Sequence, residues 1–135
     1  MTKDQKYKRE YAGVLVRIAE SDSSPLEILH RSVGGRKENV CFIAQQVVEK
    51  CLKGLLVHCG IAVPFTHSIE LLLSKLPSDF LPPKGASLDA LTEYATIRRY
   101  EEGYAELSPE DLQAAVDAAK HVLEFAKTKI FPTSA

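Results

Sequence analysis

Arg98 and Arg99 stand side by side, followed by Tyr100, Glu101, Glu102, Gly103 and Tyr104. A guanidinium is a planar fork of donors that suits a phosphate or a carboxylate. The chemistry this pair suggests is phosphate recognition. Metal-free cleavage of a phosphodiester asks for more, namely a histidine or other proton carrier close to the cation. No histidine follows Arg99 before His121. Tyr104 is a poor substitute, because a phenol of pKa about 10 is a weak base at neutral pH.

Other reactive side chains form no recognisable constellation. His58 and Cys59 are neighbours, His67 lies eight residues further on, and His30 and His121 are remote. Neighbouring helical residues point about 100° apart, so the first two do not chelate by themselves. No HExxH, no CxxC and no glycine-rich phosphate loop occurs. Cys41, Cys51 and Cys59 fall in or beside one apolar segment, which predicts buried, reduced and unreactive thiols.

The second polar set is Gln45, Gln46, Glu49, Lys50 and Lys53. On a helix these residues share one side, and Glu49 and Lys53 are spaced for an ion pair. Gln46, Lys50 and Lys53 follow three- and four-residue steps. A solvated face accepts any polar mixture, whereas a face covered by a partner needs groups that pair once desolvated. This set is rich in pairing groups.

The elements that must position these residues are helical. A first helix is predicted from about residue 4 to 20, with Tyr7, Tyr11, Val14, Leu15 and Ile18 as its apolar stripe. The stretch Ser21 to Pro25 predicts a break, after which Pro25 opens a second short helix. Val40, Ile43, Ala44, Val47, Val48, Cys51, Leu52, Leu55 and Leu56 form the broadest stripe, ending at Gly60. That helix would be roughly 33 Å long and is the natural centre of the fold. Thr66 is placed to cap a short helix through Ile69 and Leu72, with Pro77 as its end. A further helix runs from Leu88 towards Arg99. Ser108 and Pro109 open the last helix, whose stripe is Leu112, Ala115, Val116, Ala119, Val122, Leu123, Ala126 and Ile130.

The chain has 135 residues, 45% hydrophobic and 26% charged, with a formal net charge of −1. These values suit one helical domain over residues 1–135 and give no global attraction to nucleic acid. The charged amino terminus lacks an apolar signal core, and no apolar run nears the ~18 residues of a membrane span. A cytoplasmic protein without membrane contact is expected.

The segment FIAQQVVEKCLKGLLVHCGIAVPFTHSIELL resembles the core signature of the HEPN (higher eukaryotes and prokaryotes nucleotide-binding) domain family. Phe42, Ala44, Gln45, Gln46, Glu49, Lys50, Leu52, Lys53, Leu55 and Leu56 match its pattern. Gly60, Pro64, Thr66, His67, Ile69 and Leu72 match as well. Arg99-Tyr100 matches an R-Y-P near the end of the family's fourth helix, with Glu101 in place of the proline. Leu123, Phe125 and Lys127 resemble the family's closing L-x-F-x-K.

The resemblance implies an all-α, antiparallel up-and-down bundle of four main helices plus a short one, usually a homodimer. Many members stand beside a minimal nucleotidyltransferase, often as a toxin–antitoxin pair, and some have been proposed to bind nucleotides. Others are metal-independent RNases in which a histidine follows an arginine after four to six residues. This chain departs from that motif, since no histidine lies four to seven residues after Arg98 or Arg99. The expectation is a non-catalytic HEPN module that homodimerises and binds a nucleotide or a partner nucleotidyltransferase. Its contact residues would be Gln46, Glu49, Lys50, Lys53, His67, Arg98, Arg99, Tyr100 and Tyr104, with no cofactor or metal. The alternatives are an RNase with a degenerate motif acting on RNA, and a helical scaffold without a ligand.

Overall fold

The computed structural model describes residues 1–31, 37–83, 88, 91 and 109–131. Among them, helix α1 spans Lys3–Arg31, α2 spans Lys37–His58, α3 is the short Ile69–Ser74, and α4 spans Pro109–Ile130. A 3-10 turn covers Ser78–Phe80. No strand occurs among the described residues, and no helix among them is long and apolar enough to cross a membrane.

Side-chain pairings give the helix directions. Asp22 of α1 meets Lys50 of α2, while Ala12 and Val16 lie against Gly54. Sequence therefore rises along one helix as it falls along the other. Glu20 of α1 meets Lys127 of α4, and His30 bonds Gln113 at 3.1 Å, so these two are antiparallel as well. It follows that α2 and α4 run parallel. The result is an all-α bundle in which α2 packs against α1, α3 and α4.

The central role of α2 follows from its composition. Val40, Cys41, Ala44, Val47, Val48, Cys51, Leu52, Leu55 and Leu56 are all buried. Such breadth fits a helix covered on several sides. Gly60 adopts φ 74°, a left-handed conformation that favours glycine and lets the chain turn away after His58. The predicted stripe of α4 is buried in full, from Leu112 to Ile130. Leu88 and Leu91 join the same core.

Two expectations for α1 are corrected. The helix does not break at Pro25 but continues to Arg31. Proline removes one backbone donor and crowds the preceding turn, a cost of about 3 kcal/mol. Tertiary anchors hold the turn regardless: Leu26 is buried and Asp22 is held by Lys50, while within the helix the Ser23 hydroxyl donates to the Glu20 carbonyl at 2.7 Å. The second correction concerns the inward face. Ala12, Val16, Ala19 and Leu26 point into the core, whereas Tyr7, Tyr11, Val14 and Ile18 are exposed. Small side chains lie where α1 crosses α2. A Cβ built on Gly54 would stand 3.1 Å from Val16 Cγ2 and 3.3 Å from the Ala12 carbonyl oxygen.

The three thiols are free; the expected burial holds for Cys41 and Cys51 but is corrected for Cys59, which lies just past the end of α2 and is only partly buried. Cys41 and Cys51 are buried, and burial pushes the Cys51 pKa up to about 12. Cys59, partly exposed, is raised by burial as well. A thiol-specific disulfide reagent should therefore label Cys59 first in the native protein, with Cys41 and Cys51 reacting only after unfolding. Replacing Cys59 by serine should remove the fast phase; a fast phase that persists would contradict this packing.

Candidate functional site: a carboxylate hub on the central helix

Glu49 sits in the middle of α2 and is only 3% exposed. An ionised carboxylate out of water needs donors. Three side chains supply them. Gln45, one turn earlier and wholly buried, donates Nε2 to Oε2 at 2.7 Å. Lys53, one turn later, donates Nζ to Oε1 at 2.7 Å. His67, on the connector between α2 and α3, places Nδ1 2.9 Å from Oε1. Because the carboxylate only accepts, Nδ1 carries the proton in this bond. Gln46 extends the chain by donating Nε2 to Gln45 Oε1 at 2.7 Å. The buried Gln45 amide is thereby bonded at both its oxygen and its nitrogen.

The connector reaches the hub through ordinary capping. Thr66 Oγ1 accepts from the Ser68 backbone N–H at 3.0 Å, and Ser68 Oγ accepts from the Leu71 N–H at 3.2 Å. Ser68, rather than Thr66, is thus the N-cap of α3, which corrects the sequence expectation. The two hydroxyls divide the work, and Thr66 stabilises the turn one step earlier. Ile69 and Leu72 are buried against the core and seat α3 beneath this turn, leaving His67 above Glu49.

Burial alone would raise the Glu49 pKa. Hydrogen bonds from Lys53 and Gln45, the Lys53 charge and the His67 bond outweigh it, and they hold the carboxyl below its ordinary value. The sign for stability follows. A depressed folded pKa contributes stability that is fully present above the unfolded value of about 4.3. That contribution disappears as pH falls through the folded value. Urea midpoints measured from pH 7 to pH 3 should fall more steeply for the natural chain than for Glu49→Gln. Parallel curves would contradict a charged hub.

Of the expected contact residues, the structure brings Gln46, Glu49, Lys53 and His67 into one network. Lys50 lies on the same helix but turns to Asp22 of α1, so it ties α1 to α2. Arg98, Arg99, Tyr100 and Tyr104 lie outside the described residues. Two residues that hold these side chains, Gln45 and Asp22, are not among the expected contacts. Gln45 looks like its neighbour Gln46 until burial distinguishes them. Asp22 sits in a stretch that reads as a turn.

Chemically, the cluster is a buried carboxylate that orients one ammonium and one imidazole ring at its outer edge. Lys53 spends one of its three donors on Glu49, and its side chain is 25% exposed. The His67 side chain is 67% exposed. A cleft of about 670 Å³ lies elsewhere: Lys8, Arg9, His58 and Cys59 help line it, and none of the hub residues does. Among the described residues, the hub therefore has a buried half, Gln45 and Glu49, and an outer half where Lys53 and His67 reach solvent.

Comparison with known proteins agrees with this architecture. The family model described as the HEPN domain matches residues 12–129. The solved structure of ST0689, an archaeal HEPN homologue, superposes with a TM-score of 0.66 at 30% identity, covering 88% of this chain and 97% of that one. The solved structure of TT1696 from Thermus thermophilus gives a TM-score of 0.61 at 26% identity, covering 95% of this chain and 99% of that one. No curated protein matches the sequence. A match over most of the chain, with the signature residues of α2 and the connector gathered around one buried carboxylate, shows that this chain belongs to the HEPN domain family.

Proposed function

We propose that this chain is a non-catalytic, single-domain HEPN module of the cytoplasm. It homodimerises and binds a nucleotide, or a partner nucleotidyltransferase, as one half of a toxin–antitoxin-type pair. The observation that carries the reading is the hub itself. Glu49 fixes Lys53 and His67 side by side at the surface, at 2.7 and 2.9 Å from one oxygen, so the Lys53 ammonium, with donors left over, and the His67 ring are oriented before any ligand arrives; the ring has a second N–H to give only in its charged form. Such preorganisation lowers the entropy cost of binding a phosphate group. The adjacent arginines of the sequence, Arg98 and Arg99, add cations of the type that phosphate recognition uses.

The catalytic alternative lacks its proton carrier after the arginines, and loss of acid–base help typically costs 10²–10⁴-fold in rate. Labelled RNA incubated with pure protein in EDTA should therefore stay intact at the level of buffer alone. Cleavage that Arg99→Ala removes would overturn the non-catalytic reading. Light scattering should give twice the 14.9 kDa chain mass, and a strict monomer would overturn the dimer.

A further inference from the structure

The outward face of α1 carries large apolar side chains that no described residue covers. Tyr7 is 65% exposed, Tyr11 46%, Val14 52% and Ile18 42%. Single exposed apolar residues are ordinary, but a contiguous row marks an interaction surface. Their steps of four, three and four follow the seam of a coiled coil, with Tyr7 and Val14 at one core position and Tyr11 and Ile18 at the other. The rings of Tyr7 and Tyr11 pack edge to face with centroids 6.4 Å apart. A groove between Tyr11, Ile61, Ala62 and Val63 widens it on one side.

We infer that this seam is where a second copy of the chain docks, α1 against α1 in antiparallel register. The inference rests on the homodimer reading above and assigns it a surface. Antiparallel pairing about the midpoint of the seam sets Tyr7 opposite Ile18 of the second copy and Tyr11 opposite Val14, each layer occurring twice by symmetry. The layer beyond them sets Asp4 opposite Ser21, so the apolar seam closes with polar groups at both ends. Along one flank the same register brings Glu10 beside Arg17 of the second copy, again twice. Flanking pairs of this kind choose the orientation of paired helices. Glu10 is exposed and has no ion pair in its own chain among the described residues, and Arg17 is exposed with its guanidinium 5.0 Å over the Phe131 ring. A parallel pairing would instead set Lys3 against Lys8. The surface is thus complementary to itself in both shape class and charge, as a two-fold interface requires.

The test is sedimentation equilibrium on the full chain, with circular dichroism melting as a check that each variant is folded. The natural chain should be a dimer. Val14→Glu and Tyr11→Glu, at exposed positions, should give monomers that still melt cooperatively, at a temperature lowered only by the loss of the dimer's own contribution. Arg17→Glu should weaken the dimer at least roughly tenfold by setting carboxylates against each other, and Glu10→Arg combined with Arg17→Glu should restore it. A natural dimer that survives Val14→Glu, or a double swap that restores nothing, would overturn the seam while leaving the dimer reading intact. A natural chain that is monomeric would overturn both.

Discussion

Replacing Glu49 by alanine is expected to cost about 2–4 kcal/mol of folding stability, more than any other single polar substitution in the described part of the molecule. The size follows from what each donor can do once the carboxylate is gone. His67 is mostly exposed and Lys53 is partly so, and both can turn to water. Gln45 cannot, because it is wholly buried and its Nε2 has Glu49 as its acceptor. An orphaned buried amide costs about 1–3 kcal/mol, and the lost packing adds to it. For a chain of this size that is a fall in Tm on the order of 10 °C. Replacing Gln45 and Glu49 together by leucine should cost less than Glu49→Ala, since no buried polar group is then left without a partner. Chemical denaturation of the three proteins decides it. A Glu49→Ala protein as stable as the natural chain would mean that the hub is a solvated surface cluster.

Gly54→Leu should be comparably damaging, for a reason of space. The position lies where α1 crosses α2, and even a Cβ there would come within 3.1 Å of Val16 and 3.3 Å of a backbone oxygen. Alanine gains about 1 kcal/mol of helix propensity and needs its neighbours to yield by a few tenths of an ångström, so its net effect should be near zero. Leucine has no room and must push α1 outward, with a loss of about 3 kcal/mol or failure to fold. Urea midpoints should rank the natural chain and Gly54→Ala together, well above Gly54→Leu. Equal midpoints for all three would mean that α1 does not seat on Gly54.

The contrast between the helices explains what was legible in the sequence. In α2 and α4 the apolar residues form one broad face, so period and burial agree, and every stripe residue assigned to α4 is buried. In α1 there are two apolar faces. The larger side chains, Tyr7, Tyr11, Val14 and Ile18, outweigh Ala12, Val16 and Ala19 in any reading based on hydrophobic bulk. The core selects the small face because Gly54 brings the backbones together. Size, and not hydrophobicity, decides which face turns inward. Pro25 shows the same limit from another side. Its local preference is to start a helix, yet Leu26, Asp22 and His30 are each tied to the bundle and carry the helix through it.

The hub was half legible. Its members Gln46, Glu49, Lys53 and His67 stand in the part of the chain that carries the family resemblance. That they converge on one carboxylate depends on how the Thr66–Ser68 turn docks over α2, a contact between residues 18 positions apart. Periodicity carries no information about such a contact. The pairing of Lys50 with Asp22, 28 positions away, was hidden for the same reason.

On the proposed reading, the Glu49 hub holds Lys53 and His67 in place for a nucleotide. Thermal melting of the purified protein against increasing ATP in EDTA tests this. A ligand at about 100 times its Kd adds ~2.7 kcal/mol of stability, so the reading predicts a saturable rise in Tm of several degrees. The rise should vanish in the Lys53→Ala/His67→Ala double variant, in which Glu49 and Gln45 are intact. No rise at millimolar ATP, or an equal rise in the double variant, would contradict it.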